Sequence, residues 1–422
     1  MRYRKFTADN IFDGYQWRGS GQALILDATG QVLDLVPVSA AGDDIRSLPG
    51  TLCPGFVNTH CHLELSHLKG RIPPGTGMVD FLLSVMRQRS FPPEEIAGAI
   101  ELAESGMIRS GIVAVGDICN TTDTLARKQG RGIFYHHFIE TIGFVAAAAE
   151  QRFEQSKAVY DRFVAAFGAA TCSMVPHAPY SVSPALLALI NALPGNRLLS
   201  IHNQESKAET EFLLQGAGDF LRLYKALGVD LSGYKGAGRR SPEAYLPVLT
   251  NATALILVHD VETAAADLAY LQGGLNKTAA TAAAPAMPGT TVMAGPVDTA
   301  TANAASGPAI YFALCPNANL YIGNDLPDIP LLLAHNACIS IGTDSLASNT
   351  QLNILEELKT IHRAYPQLAI STLLQWATLN GAQALQQTAR FGSFEQGKKP
   401  GVVWLRGVGP DRLALDASSS IL

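Results

Sequence analysis

Pro54-Gly55-Phe56-Val57-Asn58-Thr59-His60-Cys61-His62-Leu63-Glu64 reads as a short buried strand ending in a pair of histidines. Side chains alternate across a strand, so His60 and His62 face one side and Cys61 the other. Two imidazoles side by side at a strand end make half of a transition-metal site. A His-x-His pair by itself is equally compatible with two structural histidines. The decision therefore rests on what the rest of the chain brings to the same place.

Outward from that strand, the sequence alternates helical patterns with short apolar runs. Pro93 to Ser110 sets Ile96, Ile100, Ala103 and Met107 on one helical face, and Gly111 follows as a stop. Counting Phe56–Val57, the runs are eight: Ile112–Val115, Gly132–Phe138, Cys172–Val175, Leu198–Ile201, Ala254–Val258, Ile310–Leu314 and Ile339–Ile341 complete the set. Continuous rather than alternating apolar runs are the mark of parallel strands covered on both faces. Eight of them with helices between predict an α/β fold, a (β/α)8 TIM-like barrel.

Both ends of the chain read differently. Residues 1–53 alternate β-like pieces (Ala23–Leu26, Val32–Val36) with Gly and Asp turns, and the Gly397–Gly401 turn leads into Val402–Leu405. These predict a small β-sandwich-like domain from residues 1–53 plus 393–422, flanking a barrel over 54–392. An Ala/Thr/Gly/Pro-rich stretch at about 273–307 interrupts the barrel pattern between its sixth and seventh strands. It reads as an insertion, either a lid or functionally idle.

Composition narrows the function class. The chain has 422 residues, 47% hydrophobic and 16% charged, with net charge −5. That balance suits one large core and offers no electrostatic footprint for nucleic acid or anionic membrane. No apolar run reaches the length of a membrane span, and Met1-Arg2-Tyr3-Arg4-Lys5 has no apolar stretch behind it to make a signal peptide. The six cysteines are scattered, without Cys-x-x-Cys, which predicts buried thiols in a reducing, cytoplasmic setting.

Several strands run into a titratable residue: His60 and His62, His177, His202 with Glu205 three positions on, His259, and Asp344. In a barrel the C-terminal strand ends converge on one face, so these residues become neighbours. The set, together with His177-Ala178-Pro179-Tyr180-Ser181, Cys315-Pro316-Asn317-Ala318-Asn319-Leu320, Gly342-Thr343-Asp344-Ser345 and Gly381-Ala382-Gln383-Ala384-Leu385, resembles the amidohydrolase superfamily, in particular its ATZ/TRZ-like aminohydrolase branch. The 273–307 stretch is the main departure from that pattern.

The resemblance implies that His60, His62, His202 and Asp344 hold one divalent metal ion per chain, zinc first and iron second. A carboxylated lysine at the fourth strand would imply two ions, but that strand runs to Pro176 and His177. The resemblance makes Glu205 the proton shuttle and gives Asp344 a second task as proton acceptor. His259 orients the nucleophile or stabilises charge, and His177 contacts substrate. Glu64 either reaches substrate or anchors its loop; Asp117 and Asp260 are candidates to orient ligands from behind.

The implied activity is hydrolytic deamination of a small amino-substituted N-heterocycle. His177–Tyr180 and His62-Leu63-Glu64-Leu65-Ser66 favour an adenine-nucleoside-type substrate such as 6-amino-6-deoxyfutalosine. S-adenosylhomocysteine, methylthioadenosine, guanine, triazines and cyclic amides are the alternatives, and a non-catalytic metabolite-binding barrel is the competitor from another class. The resemblance also allows a homodimer.

Overall fold

The computed structural model describes residues 3–130, 132–273 and 307–422. The insertion expected at about 273–307 therefore lies almost wholly outside the described residues. All eight apolar runs are strands: β5 (Phe56–Cys61), β6 (Ile112–Cys119), β7 (Phe134–Thr141), β8 (Cys172–Pro176), β9 (Leu198–Asn203), β10 (Ala254–His259), β11 (Ala309–Leu314) and β12 (Cys338–Ile341). The numbering follows the four strands that precede them, β1 (Arg4–Ile11), β2 (Gln22–Leu26), β3 (Val32–Pro37) and β4 (Ile45–Pro54).

Strands β5-β6-β7-β8 form one parallel four-stranded sheet and β9-β10-β11-β12 another. Hydrogen bonds join the two sheets at both edges. His202 N–H donates to the His177 carbonyl at 2.9 Å, and the His60 carbonyl accepts from Thr343 N–H at 2.9 Å and Asp344 N–H at 3.2 Å. Asn58 clamps this second junction, its amide donating to Thr343 Oγ1 at 2.7 Å and its Oδ1 accepting from the Thr343 backbone. Gly342 makes the close approach of β5 and β12 feasible. A Cβ there would lie 2.7 Å from Cys315 Sγ and 2.9 Å from His60 Cβ.

The helix expected from residue 93 runs Pro93–Arg109, with Ile100 and Met107 fully buried. It packs, with the other helices, against a core whose wall includes Phe56, Ile112, Phe138, Leu199, Ile256, Leu314 and Ile341. A second apolar cluster is rich in aromatics (Phe81, Tyr180, Phe212, Phe220, Tyr224) and sits beside the cavity described below.

The two ends of the chain share one six-stranded sheet. Its order is β14-β13-β4-β1-β2-β3, where β13 is Val402–Gly409 and β14 is Arg412–Ile421. Phe6, Ile11, Leu24, Leu52, Phe394 and Val402 fill its own core. All six cysteines are unpaired, five of them buried. Among the described residues no helix is long and apolar enough to cross a membrane.

Candidate metal centre and active-site cavity

The strand ends bring His60, His62, His202 and Asp344 together, with one ligand-capable atom from each lying within 4.8 Å of the others. His62 Nε2 is 3.2 Å from His60 Nε2 and 3.3 Å from His202 Nε2. Asp344 Oδ1 stands 3.4 Å from His62 Nε2 and 3.6 Å from His60 Nε2. All four side chains are buried.

The chemistry of this donor set fits a divalent cation. His202 Nδ1 faces the His177 carbonyl at 2.8 Å, so it carries the ring proton and its Nε2 presents a lone pair. Burial, reinforced by the neighbouring imidazoles, drives His202 well below its ordinary value; burial takes His62 down to about 3, against the opposing pull of Asp344. Burial acts to raise the Asp344 carboxyl, but the nearby His60 and the other imidazoles around it hold it well below the usual range. Three imidazoles and one carboxylate, their donor atoms crowded on one point, are the ligands zinc or ferrous iron takes. A second group, Glu140, His177 and His202, shares His202 with the first. There His202 Nδ1 is already bonded to the His177 carbonyl and His177 Nδ1 to Ser181 Oγ at 2.7 Å, so this group is the poorer site.

Around the four lie the remaining expected residues. Glu205 is buried, and its Oε1 is 3.4 Å from His259 Nε2. Burial, then the charge of Asp344, pushes the Glu205 carboxyl well above its usual range. His259 donates from Nδ1 to Asn319 Oδ1 at 2.8 Å, which leaves Nε2 as an acceptor turned toward Glu205. His177 stacks obliquely on His202 with ring centroids 4.7 Å apart. His62, His177, His202, Glu205, His259 and Asp344 all line one cavity of about 500 Å³.

Backbone strain concentrates here. Gln204, His259, Asp260 and Asp344 have φ of 50°, 78°, 56° and 56°, a left-handed region that non-glycine residues seldom enter. The surrounding bonds hold them in it. Glu209 accepts the backbone N–H groups of Gln204 at 3.0 Å and Glu205 at 2.9 Å. Ser348 Oγ donates to Asp344 Oδ2.

Glu64, expected either to reach substrate or to anchor its loop, does not line the cavity. Its Oε2 accepts from Asn120 N–H, Thr121 N–H and Thr121 Oγ1 at 3.0–3.1 Å, and its Oε1 from Arg89 Nη2 at 3.3 Å. A carboxylate this heavily bonded anchors the 120–121 loop and has little left to offer a ligand. Asp117 is turned to a similar end. One oxygen accepts Leu63 N–H at 2.9 Å, and the other meets the fully buried Lys128 ammonium. Asp260 Oδ1 accepts from Asn203, an indirect support of the His202 strand end.

A model of the amidohydrolase family matches residues 51–412. The chain is 27% identical over 370 residues to the aminodeoxyfutalosine deaminase of Nitratiruptor sp., covering 85% of this chain and 78% of the relative. It is 25% identical over 388 residues to a 5-methylthioadenosine/S-adenosylhomocysteine deaminase of Bacillus cytotoxicus, covering 84% and 73%. Among solved structures, Helicobacter pylori aminofutalosine deaminase in complex with methylthio-coformycin aligns with a TM-score of 0.75 at 19% identity, over 94% of this chain and 91% of that one. A zinc-bound adenosine deaminase from Xanthomonas campestris aligns with a TM-score of 0.65 at 20% identity, over 94% and 83%. The breadth of the family match, across both parallel sheets and every strand end in the cavity, makes this chain a member of the amidohydrolase family.

Proposed function

We propose that the protein is a metal-dependent hydrolytic deaminase that releases ammonia from an amino-substituted N-heterocycle, with an adenine-nucleoside-type substrate as the leading class. The observation that carries this reading is the four-donor cluster opening into the same cavity as the Glu205–His259 pair. The names of the sequence relatives favour the adenine class.

In this reading His60, His62, His202 and Asp344 hold one divalent ion, zinc first. Such an ion supplies a Lewis acid and brings the pKa of a bound water near neutrality. The chain's own residues do the rest. Glu205, whose carboxyl burial pushes well above its usual range, passes a proton to a ring nitrogen and later serves the departing amine. His259, fixed by Asn319, presents an acceptor to the attacking water or to Glu205. Asp344 accepts a proton at the oxygen opposite the one that Ser348 bonds, and His177 touches the heterocycle. Water oxygen is added to the ring carbon, the exocyclic C–N bond breaks, and ammonia leaves.

The same reading treats the two parallel sheets as one closed (β/α)8 barrel, supported by the bonds at both sheet edges. It takes residues 1–53 with 393–422 as an appended domain, and the unpaired cysteines fit a cytoplasmic enzyme. The test is ammonia release by zinc-loaded protein across 6-aminodeoxyfutalosine, methylthioadenosine, S-adenosylhomocysteine, adenosine, guanine and an aminotriazine, with bound metal counted. One fast adenine-type substrate at one metal per chain upholds the reading. Two metals per chain and turnover of a cyclic amide instead would replace it.

A further inference from the structure

Glu140 lies at the end of β7, 5% exposed, and lines the cavity. Its Oε2 accepts from Asn120 Nδ2 at 2.9 Å, which fixes the carboxylate plane. Its Oε1 is buried without a hydrogen-bond partner among the described residues. The nearest imidazole N–H, on His202 Nδ1, is 3.7 Å away and already bonded to the His177 carbonyl. A buried acceptor left without a donor is costly, so an oriented one on a cavity wall implies a donor on the ligand.

Two residues further along the chain, the surroundings turn apolar. Ile142, Val145, Met86 and Leu227 are each 41–49% exposed, and all four line the same cavity. Exposed large apolar side chains gathered around one opening mark a surface that a ligand covers. The cavity, at about 500 Å³, is of the size that encloses a drug-sized molecule, so a lone heterocycle at the histidines leaves much of it unfilled.

We propose that Glu140 and this apolar rim form a subsite for the unreactive part of the substrate, which carries a hydroxyl donor next to the ring system and an apolar arm beyond it. The substrate class is then a nucleoside-like amino-heterocycle with an apolar substituent, in preference to a free base. The inference rests on the deaminase reading for the identity of the ring, and on Glu140 and the rim for everything else. Sites built to bond a hydroxyl reject the analogue that lacks it, because their own polar group is stranded.

The experiment titrates zinc-loaded protein by calorimetry with adenine, 2′,3′-dideoxyadenosine, adenosine and 5′-deoxy-5′-phenylthioadenosine. Binding is measured in a Glu205→Gln background, and ammonia release is followed in parallel with Glu205 intact. Adenosine should bind about tenfold or more tighter than adenine and the dideoxy compound, and the phenylthio derivative tighter again. Glu140→Met should erase the gain from the hydroxyls and leave adenine affinity unchanged, with Glu140→Gln losing part of it. Ile142→Ser should erase only the gain from the phenylthio arm.

Equal binding of base and nucleosides, a uniform loss across all ligands in Glu140→Met, or binding of none of the series overturns the subsite. The full ladder of affinities without ammonia would uphold the subsite and remove the deaminase reading. Ammonia released from all four with equal efficiency would do the reverse.

Discussion

The inner wall of the cavity and its rim are built on opposite terms. At the wall, His202, Glu205, His259 and Asp344 are buried, and each is held by directional bonds or sits beside a residue in a left-handed conformation. At the rim, Met86, Ile142, Val145 and Leu227 are half in solvent. The contrast separates what must be placed to a fraction of an ångström from what needs only to be apolar and of roughly the right shape. Bonded walls make chemistry possible, whereas an apolar rim sorts ligands by area and is cheap to alter.

The hardest break of that contrast is at the wall. His202→Ala should abolish metal retention, read by metal analysis of the purified protein, and lower ammonia release by about a thousandfold or more through lost charge stabilisation. Retained stoichiometric metal would overturn the assigned ligand set. Glu205→Gln should keep its metal and its substrate affinity while kcat falls about a hundredfold to ten thousandfold. An equal fall in affinity would show that Glu205 binds rather than transfers protons.

Behind the wall, Lys128→Met leaves Asp117 buried without its cation and should cost about 3–5 kcal/mol in denaturant unfolding. Adding Asp117→Asn should recover part of that loss, since the buried negative charge is removed. If the single variant unfolds like the parent, the pair is not what holds the Leu63 amide. Ser348→Ala strips one bond from Asp344 and should weaken metal affinity about tenfold to a hundredfold in chelator competition, with the fold intact. At the rim, Leu227→Ser should shift stability by no more than about 0.5 kcal/mol and change KM for apolar substrates alone. A change in kcat there would erase the distinction between rim and wall.

The eight parallel strands were legible because burial on both faces leaves uninterrupted apolar runs, and each run in the sequence became a strand. The residues gathered at the cluster and the cavity were legible because His60, His62, His177, His202, His259 and Asp344 stand within a few positions of the ends of those runs. Glu140 escaped for a simple reason. The third run is read as ending at Phe138, whereas the strand continues through Ile139 and Glu140 to Thr141, and the rule that found the histidines would have found Glu140 with the longer boundary.

For Glu64 two roles stayed open, because adjacency in sequence to His62 says nothing about which way the chain turns after the strand. Here it turns into the short helix Leu63–Leu68, and the carboxylate meets the 120–121 loop. Asn319 stood in a quoted motif without a role, since its partner His259 is 60 residues away. Strand β14 went unread because its Ala and Ser residues and the charges at Arg412 and Asp416 dilute the apolar signal of Leu413 and Leu415; its pairing with β13 supplies the order.

The shared carbonyl of His60, which accepts from both Thr343 and Asp344, has a consequence for how the protein comes into being. The centre joins residues that are nearly 300 positions apart, so loop-closure entropy must be overcome across most of the chain before any of it exists. A ribosome that has released only the first two-thirds of the polypeptide carries three of the four proposed ligands and lacks the Asp344 carboxylate that would complete them. Any ion that prefers the complete set then acts as a ligand of the finished fold, pulling the folding equilibrium forward by mass action. Metal supply would thereby set how much protein survives in folded form as well as how fast it works.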